Sequence, residues 1–214
     1  MINPGAEKII AVDEKGEVLT PQRLLLKVAR LYLEIAKPKK IAAPITASAG
    51  LELLADEFGA KIIWIPSDHR AMMESAAFPD IGFVGGTKGG FIFPGFQLGV
   101  DAMFVTAKIL ELLAITGIKL SEVTGDWDRL EMAEKEVACA WAKKGQVMRH
   151  LMAASEKSSR ILIDGARLSV DDGWVLIRPD RKKALFYVLA ESYSAESARE
   201  LVKVYSKNIK NWQK

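Results

Sequence analysis

Seven of the sixteen glycines fall between positions 82 and 99, five of them in the run Gly82-Phe83-Val84-Gly85-Gly86-Thr87-Lys88-Gly89-Gly90-Phe91. Glycine tolerates positive φ and lets backbone N–H groups approach a ligand closely, so this run, with Lys88 at its tip, can receive an anion. It is not a P-loop, because no helix opening with Gly-Lys-Ser/Thr follows it. The same glycines suit a tight hairpin without a ligand, and both readings stand. A second group is Arg178-Pro179-Asp180-Arg181-Lys182-Lys183. Arg offers a bidentate fork and Lys a point charge, so four cations in one loop can hold phosphate. The alternative is a solvated basic turn. His69, between Asp68 and Arg70, is an acid/base candidate that needs a partner and a cleft; otherwise it is a structural residue at a helix start. His150 sits inside a helical pattern.

Other chemistries are excluded by composition. The chain has 214 residues, one cysteine and two histidines. Cys139 reads as a small buried residue, with no disulfide framework and no cysteine metal cluster. Two histidines do not make a multi-histidine zinc site. Lys and Arg number 30 against 27 Asp and Glu, a net charge of +3. No Lys/Arg block exceeds three residues, which argues against nucleic-acid binding. The most apolar stretch, 96–118, carries Asp101, Lys108 and Glu111 and does not read as a membrane span. Met1 to Gly5 has no signal-peptide character. A soluble cytoplasmic protein is expected.

The elements that must position these groups fall into two halves. Ile9–Val12 and Glu17–Leu19 read as a hairpin around Asp13–Gly16. Thr20 and Pro21 open a helix whose Leu24, Leu25, Val28, Leu31, Tyr32 and Ile35 recur at helical spacing, and Pro38 stops it. Ile41–Ile45 reads as a strand, and Ser48 as the cap of a helix ending near Gly59. Lys61–Ile65 reads as a buried strand. A short helix at Arg70–Ala77, a strand at Ile81–Val84 and a helix at Val100–Ala114 follow. Alternation of this kind predicts a sheet between helices. After a linker near Ile118–Asp128, the pattern becomes antiparallel α+β. Glu131–Ala140 is extended and Lys143–Ser155 helical. Ile161–Ile163, Arg167–Val170, Trp174–Ile177 and Leu185–Ala190 are strands, with Asp164-Gly165 as a hairpin turn. Ser194 caps a final helix.

Several of these segments resemble the C-terminal half of the α-D-phosphohexomutases, the phosphomannomutase/phosphoglucomutase family. Val12-Asp13-Glu14-Lys15-Gly16-Glu17-Val18-Leu19, followed by the Pro21-Gln22-Arg23-Leu24-Leu25 helix, resembles the entry to the family's third domain. Gly85-Gly86-Thr87-Lys88-Gly89-Gly90-Phe91 resembles its sugar-recognition loop. Asp172-Gly173-Trp174-Val175-Leu176-Ile177-Arg178-Pro179 resembles the strand into its fourth-domain phosphate loop. Gly89–Gln97 and Trp141–Arg149 are similar to a subgroup in which a mannose-1-phosphate guanylyltransferase is fused ahead of the mutase-like region. The resemblance implies an α/β protein: an α/β/α sandwich over residues 20–118, then an α+β antiparallel-sheet domain (TATA-binding-protein-like) over 119–214. Residues 1–19 would be a remnant hairpin and metal loop of the second domain.

The resemblance also implies a hexose phosphate ligand held by His69, Thr87, Lys88, Gly89, Arg178, Arg181 and Lys182. It implies departures too. The serine loop has no match. The family's magnesium loop, Asp-Gly-Asp-Gly-Asp-Arg, stands here as Asn3-Pro4-Gly5-Ala6-Glu7-Lys8, so Asn3 and Glu7 replace three carboxylates and no bound cofactor is expected. Thr87 and Gly89 stand where the sugar loop has Glu and Ser, and Thr46 where a lysine is expected. Only Arg178 and Pro179 match the phosphate loop outright. Asp180 would repel phosphate, with Arg181 and Lys182 to offset it. The expectation is a sugar-phosphate-binding part of a larger protein, not a mutase by itself; the alternative is a structural or regulatory module. Expected partners are the missing N-terminal domains or nucleotidyltransferase region, and a second copy; the hairpin, left with free edges, is expected to be mobile, refolded onto the third-domain-like part, or paired with that second copy.

Overall fold

Thr20 and Pro21 start the first long helix as their chemistry dictates. In the computed structural model, which describes residues 1–156 and 158–214, the Thr20 hydroxyl accepts a hydrogen bond from Arg23 N at 3.3 Å. Helix α1 (Pro21–Ala36) ends where Lys37 turns left-handed at φ 46°. The chain forms two units, Met1–Asp128 and Arg129–Lys214.

In the first unit, α1 is followed by β1 (Lys40–Pro44), α2 (Gly50–Glu57), β2 (Lys61–Ile65), α3 (His69–Ala76), β3 (Ile81–Gly85), β4 (Phe91–Ile92) and α4 (Ala102–Thr116). The sheet order is β2-β1-β3-β4. β1 runs parallel to β2 and β3, and β4 is antiparallel to β3. This is the α/β sandwich expected. Lys61–Ile65, however, is an edge strand: Lys61 and Ile63 are exposed and only Ile65 is buried. The central place belongs to β1, whose small residues Ala42 and Ala43 leave room for neighbours on both faces. α4 begins at Ala102 rather than Val100, because the Asp101 carboxylate accepts from Met103 N and Phe104 N at 2.9 Å each.

The N-terminal segment does not form the expected strand pair. It keeps two isolated bridges, Ile2 with Ile9 and Val12 with Val18. Asp13 holds the turn by accepting from Lys15 N and Glu17 N at 2.9 Å each. The segment folds back on the first unit, one of the three arrangements expected of a hairpin with free edges. Ile9 N donates to Gly89 O at 2.9 Å, Ala102 N donates to Ala6 O at 2.8 Å, and the Ser121 hydroxyl bonds Glu14. Ile9 and Leu19 are buried there.

Residues 118–128, read as a linker, carry 3-10 turns with Leu120, Val123 and Trp127 buried. The buried Lys27 ammonium donates to Leu120 O at 3.0 Å and Val123 O at 2.6 Å. Burial pushes its pKa down.

In the second unit, β5 (Glu131–Ala138), α5 (Lys144–Ala154), β6 (Arg160–Ile161), β7 (Ala166–Val170), β8 (Gly173–Pro179), β9 (Leu185–Ser192) and α6 (Ala195–Trp212) follow in order. The sheet is antiparallel throughout, in the order β5-β9-β8-β7-β6. Its core includes Val147, Leu151, Leu168, Val175, Phe186 and Val202. Ser194 caps α6 as its position predicts, accepting from Ser197 N at 3.1 Å. Among the described residues, no helix is long and apolar enough to cross a membrane.

Candidate ligand-binding site

Parallel strands deliver their carboxyl ends, and the turns after them, to one edge of a sheet, which is where α/β proteins hold ligands. In the first unit these ends are Pro44, Ile65 and Gly85. A cleft of about 200 Å³ lies there, and its lining includes Glu7, Lys8, Ser67, His69, Thr87 and Lys88. The volume falls below the roughly 300–1,000 Å³ of drug-sized pockets, so a small molecule fits it.

Each wall has a local cause. Gly86 N donates to Gly90 O at 2.9 Å and closes the turn that presents Thr87 and Lys88. Gly89 sits at φ +82°, and a Cβ there would lie 2.4 Å from Ile9 O. No other residue fits this position without displacing the N-terminal segment. Gly89 is thus fixed by packing against Ile9, and the cleft is lined by its neighbours Lys88 and Gly90. His69 is the first residue of α3, exposed. Asp68 before it caps that helix by accepting from Ala71 N at 2.8 Å. The Thr46 and Thr87 hydroxyl oxygens lie 3.4 Å apart, and Ser67 Oγ donates towards Thr46 at 3.5 Å. A sugar offers hydroxyls that can join such a chain. Among the described residues, the side chains of Lys8, Lys88 and His69 have no hydrogen bond or ion pair; Lys8 and Lys88 are two cations available to an anion.

Glu7 and Lys8 enter the cleft because of Asn3. Its side-chain oxygen accepts from Glu7 N at 2.9 Å and Lys8 N at 2.8 Å, which curls the loop. That oxygen is thus committed to backbone donors, and the adjacent carboxylate of Glu7 stands beside a lysine. This donor set does not fit magnesium, which takes octahedral oxygen ligands. Among the described residues, no three His, Cys, Asp or Glu side chains group as metal ligands. Lys8 and Ser67 were missed as site residues, since nothing in their local sequence marks them.

The basic loop of the second unit is arranged differently. Arg181 Nη2 pairs with Asp164 Oδ1 at 2.7 Å. The Arg178 guanidinium lies 5.1 Å from the centre of the Tyr187 ring. The Asp180 carboxylate accepts from Lys182 N and Lys183 N at 2.6 Å each. The Lys182 N–H, foremost among several bonds, holds that carboxyl below its usual range. Lys144 Nζ ties the loop from below, donating to Asp180 O at 2.5 Å and Lys183 O at 2.6 Å. The Lys182 and Lys183 side chains have no hydrogen bond or ion pair among the described residues, while Arg181 answers Asp164 rather than offsetting Asp180. The structure thus groups His69, Thr87 and Lys88 in one unit and Arg178, Arg181 and Lys182 in the other.

Comparison with known proteins agrees with this architecture. A family model described as phosphoglucomutase/phosphomannomutase, alpha/beta/alpha domain III, matches residues 21–130. A phosphoglucosamine mutase of Methanococcus maripaludis is 27% identical over 201 residues, covering 92% of this chain and 45% of that protein. A phosphoglucomutase/phosphomannomutase of Thermococcus kodakarensis is 29% identical over 205 residues, covering 93% of this chain and 44% of that protein. The chain therefore spans about half the length of the curated relatives it matches. The crystal structure of a phosphoglucomutase/phosphomannomutase family protein from Burkholderia thailandensis superposes with a TM-score of 0.79 at 17% identity, covering 99% of this chain and 46% of that one. Paramecium parafusin, a phosphoglucomutase in its open form, gives 0.74 at 14% identity, with 99% and 45% covered. These two likenesses concern the fold.

Proposed function

Because the chain belongs to the phosphoglucomutase/phosphomannomutase family, we propose that it is a hexose-phosphate-binding C-terminal part of such a protein in sugar-nucleotide metabolism. The observation that carries this reading is the grouping of Lys8, Lys88 and His69 with the hydroxyls of Ser67 and Thr87 around one small cleft. The lysines suit a phosphate, and the hydroxyls and Glu7 suit a sugar ring. The activities named for its relatives, phosphoglucosamine mutase and phosphoglucomutase/phosphomannomutase, support the substrate class. The chain is not a mutase by itself in this reading, since the Asn3–Lys8 loop does not fit the metal that family chemistry uses. The likeness of Gly89–Gln97 and Trp141–Arg149 supports the guanylyltransferase fusion subgroup. A structural or regulatory role is the second reading, favoured by the internally bonded basic loop.

Calorimetry with glucose 1-phosphate and mannose 1-phosphate tests the proposal. Saturable binding is expected, lost in Lys88→Glu. Equal binding by wild type and variant would sink the cleft assignment, and no binding to either would favour the structural role. With magnesium added, the chain should release no hexose 6-phosphate above a blank. Turnover would overturn the inactive reading.

A further inference from the structure

α4 buries Ala102, Val105, Ile109 and Leu112. On its outer side Met103, Ala107, Leu110 and Ala114 follow one another at i, i+4, i+7 and i+11, which places them on one narrow stripe. All four are exposed. Met103 is 65% and Leu110 63% exposed, and the stripe is flanked by Ile115 at 60% and Phe96 at 55%. Phe96 is stacked on Phe104 with ring centres 3.8 Å apart, so this exposed aromatic is held in place on the flank. The charges of the helix, Lys108 and Glu111, pair with each other beside the stripe. A continuous apolar face of this kind amounts to several hundred Å², on the order of the 800 Å² per partner that a stable interface covers.

We propose that this face is the seat of an antiparallel two-fold dimer, α4 packing on α4 of a second copy. The order of side chains along the stripe argues for self-pairing: large, small, large, small. Reversed and laid against itself, it sets Met103 on the partner's Ala114 and Ala107 against the partner's Leu110. Every large side chain then meets a small one, as close helix packing requires. A parallel arrangement in register would set Leu110 on the partner's Leu110 and leave a gap between the alanines. The same two-fold brings the flank carrying Phe104, Lys108, Glu111 and Ile115 against its own copy.

Sedimentation equilibrium of the 214-residue chain should give twice its 23.6 kDa mass at micromolar concentration. Leu110→Asp should weaken association at least tenfold without changing the circular dichroism melt, since Leu110 makes no core contact. A wild type that stays monomeric through about 100 μM would overturn the proposal. So would a dimer that Leu110→Asp leaves intact. Orientation is read independently by mixing Ala107→Cys and Leu110→Cys chains under mild oxidation. Cross-links between the two variants are expected; cross-linking of each variant only with itself would overturn the antiparallel arrangement.

Discussion

The cleft of the first unit and the basic loop of the second both concentrate cations, yet they differ in what those cations are doing. In the cleft, Lys8, Lys88 and His69 come from three separate segments, and none of their side chains is bonded among the described residues. In the loop, Arg181 is paired with Asp164, Arg178 lies over Tyr187, and Asp180 takes the backbone donors of Lys182 and Lys183, so that only these two lysine side chains stay unbonded there among the described residues. A residue's type indicates what it can bind. Only its existing partners say whether that capacity is still open, because a new anion must first displace a bonded group and lose its hydrogen bonds.

The sharpest way to break this contrast is a pair of charge reversals. Lys88→Glu should reduce glucose 1-phosphate affinity roughly 30-fold or more, a charge-assisted contact being about 1.5–3 kcal/mol and repulsion adding to its loss. Arg181→Glu should change it less than threefold. Calorimetry on both variants decides, and the reverse ranking would move the ligand to the loop.

Next in size is Gly89→Ala. The added methyl cannot share space with Ile9 O, and the positive φ is unfavourable for alanine. A stability loss of about 2 kcal/mol follows, a fall of roughly 4–8 °C in the melting transition of the first unit. An unchanged melt would mean that the N-terminal segment is not clamped there.

A smaller effect tests the loop from the other side. Asp180→Gly removes the carboxylate that occupies the Lys182 and Lys183 N–H groups. Inorganic phosphate should then perturb those two amide signals several-fold more strongly than in wild type. Equal perturbation would show that Asp180 does not close the loop.

The smallest effect is in pH. The folded-state pKa of Asp180 is depressed, chiefly by the Lys182 N–H. Its stabilising contribution is therefore full above the ordinary carboxylate pKa of about 3.9 and fades as the pH falls through the depressed value. The difference in melting temperature between wild type and Asp180→Asn should shrink as pH falls from about 5 to about 2. A difference that stays constant would show that the carboxylate makes no such bonds in solution.

What could be read ahead of the structure was local chemistry. Thr20 with Pro21, Asp164 with Gly165 and the Ser194 cap each act within a few residues, so their consequences are written where they stand. The order of sheet and antiparallel meander followed from spacing. Three features did not. An apolar run such as Lys61–Ile65 carries no mark of whether a neighbour will cover its far side. The N-terminal hairpin read as one with free edges, but nothing local says what covers them: its partners are Gly89, Ala102 and Ser121, around 80 to 110 residues away. Asp180 read as a repulsive charge because sequence shows a carboxylate's sign, not the donors that its own loop turns towards it.

The hydrogen bond from Ile9 N to Gly89 O makes one amide proton an indirect sensor of the cleft. Any ligand that grips Lys88 restrains the carbonyl beside it, so the Ile9 N–H opens less often and trades its hydrogen for solvent deuterium more slowly. Occupancy would thus be legible as isotope uptake at an amide that does not itself line the cleft.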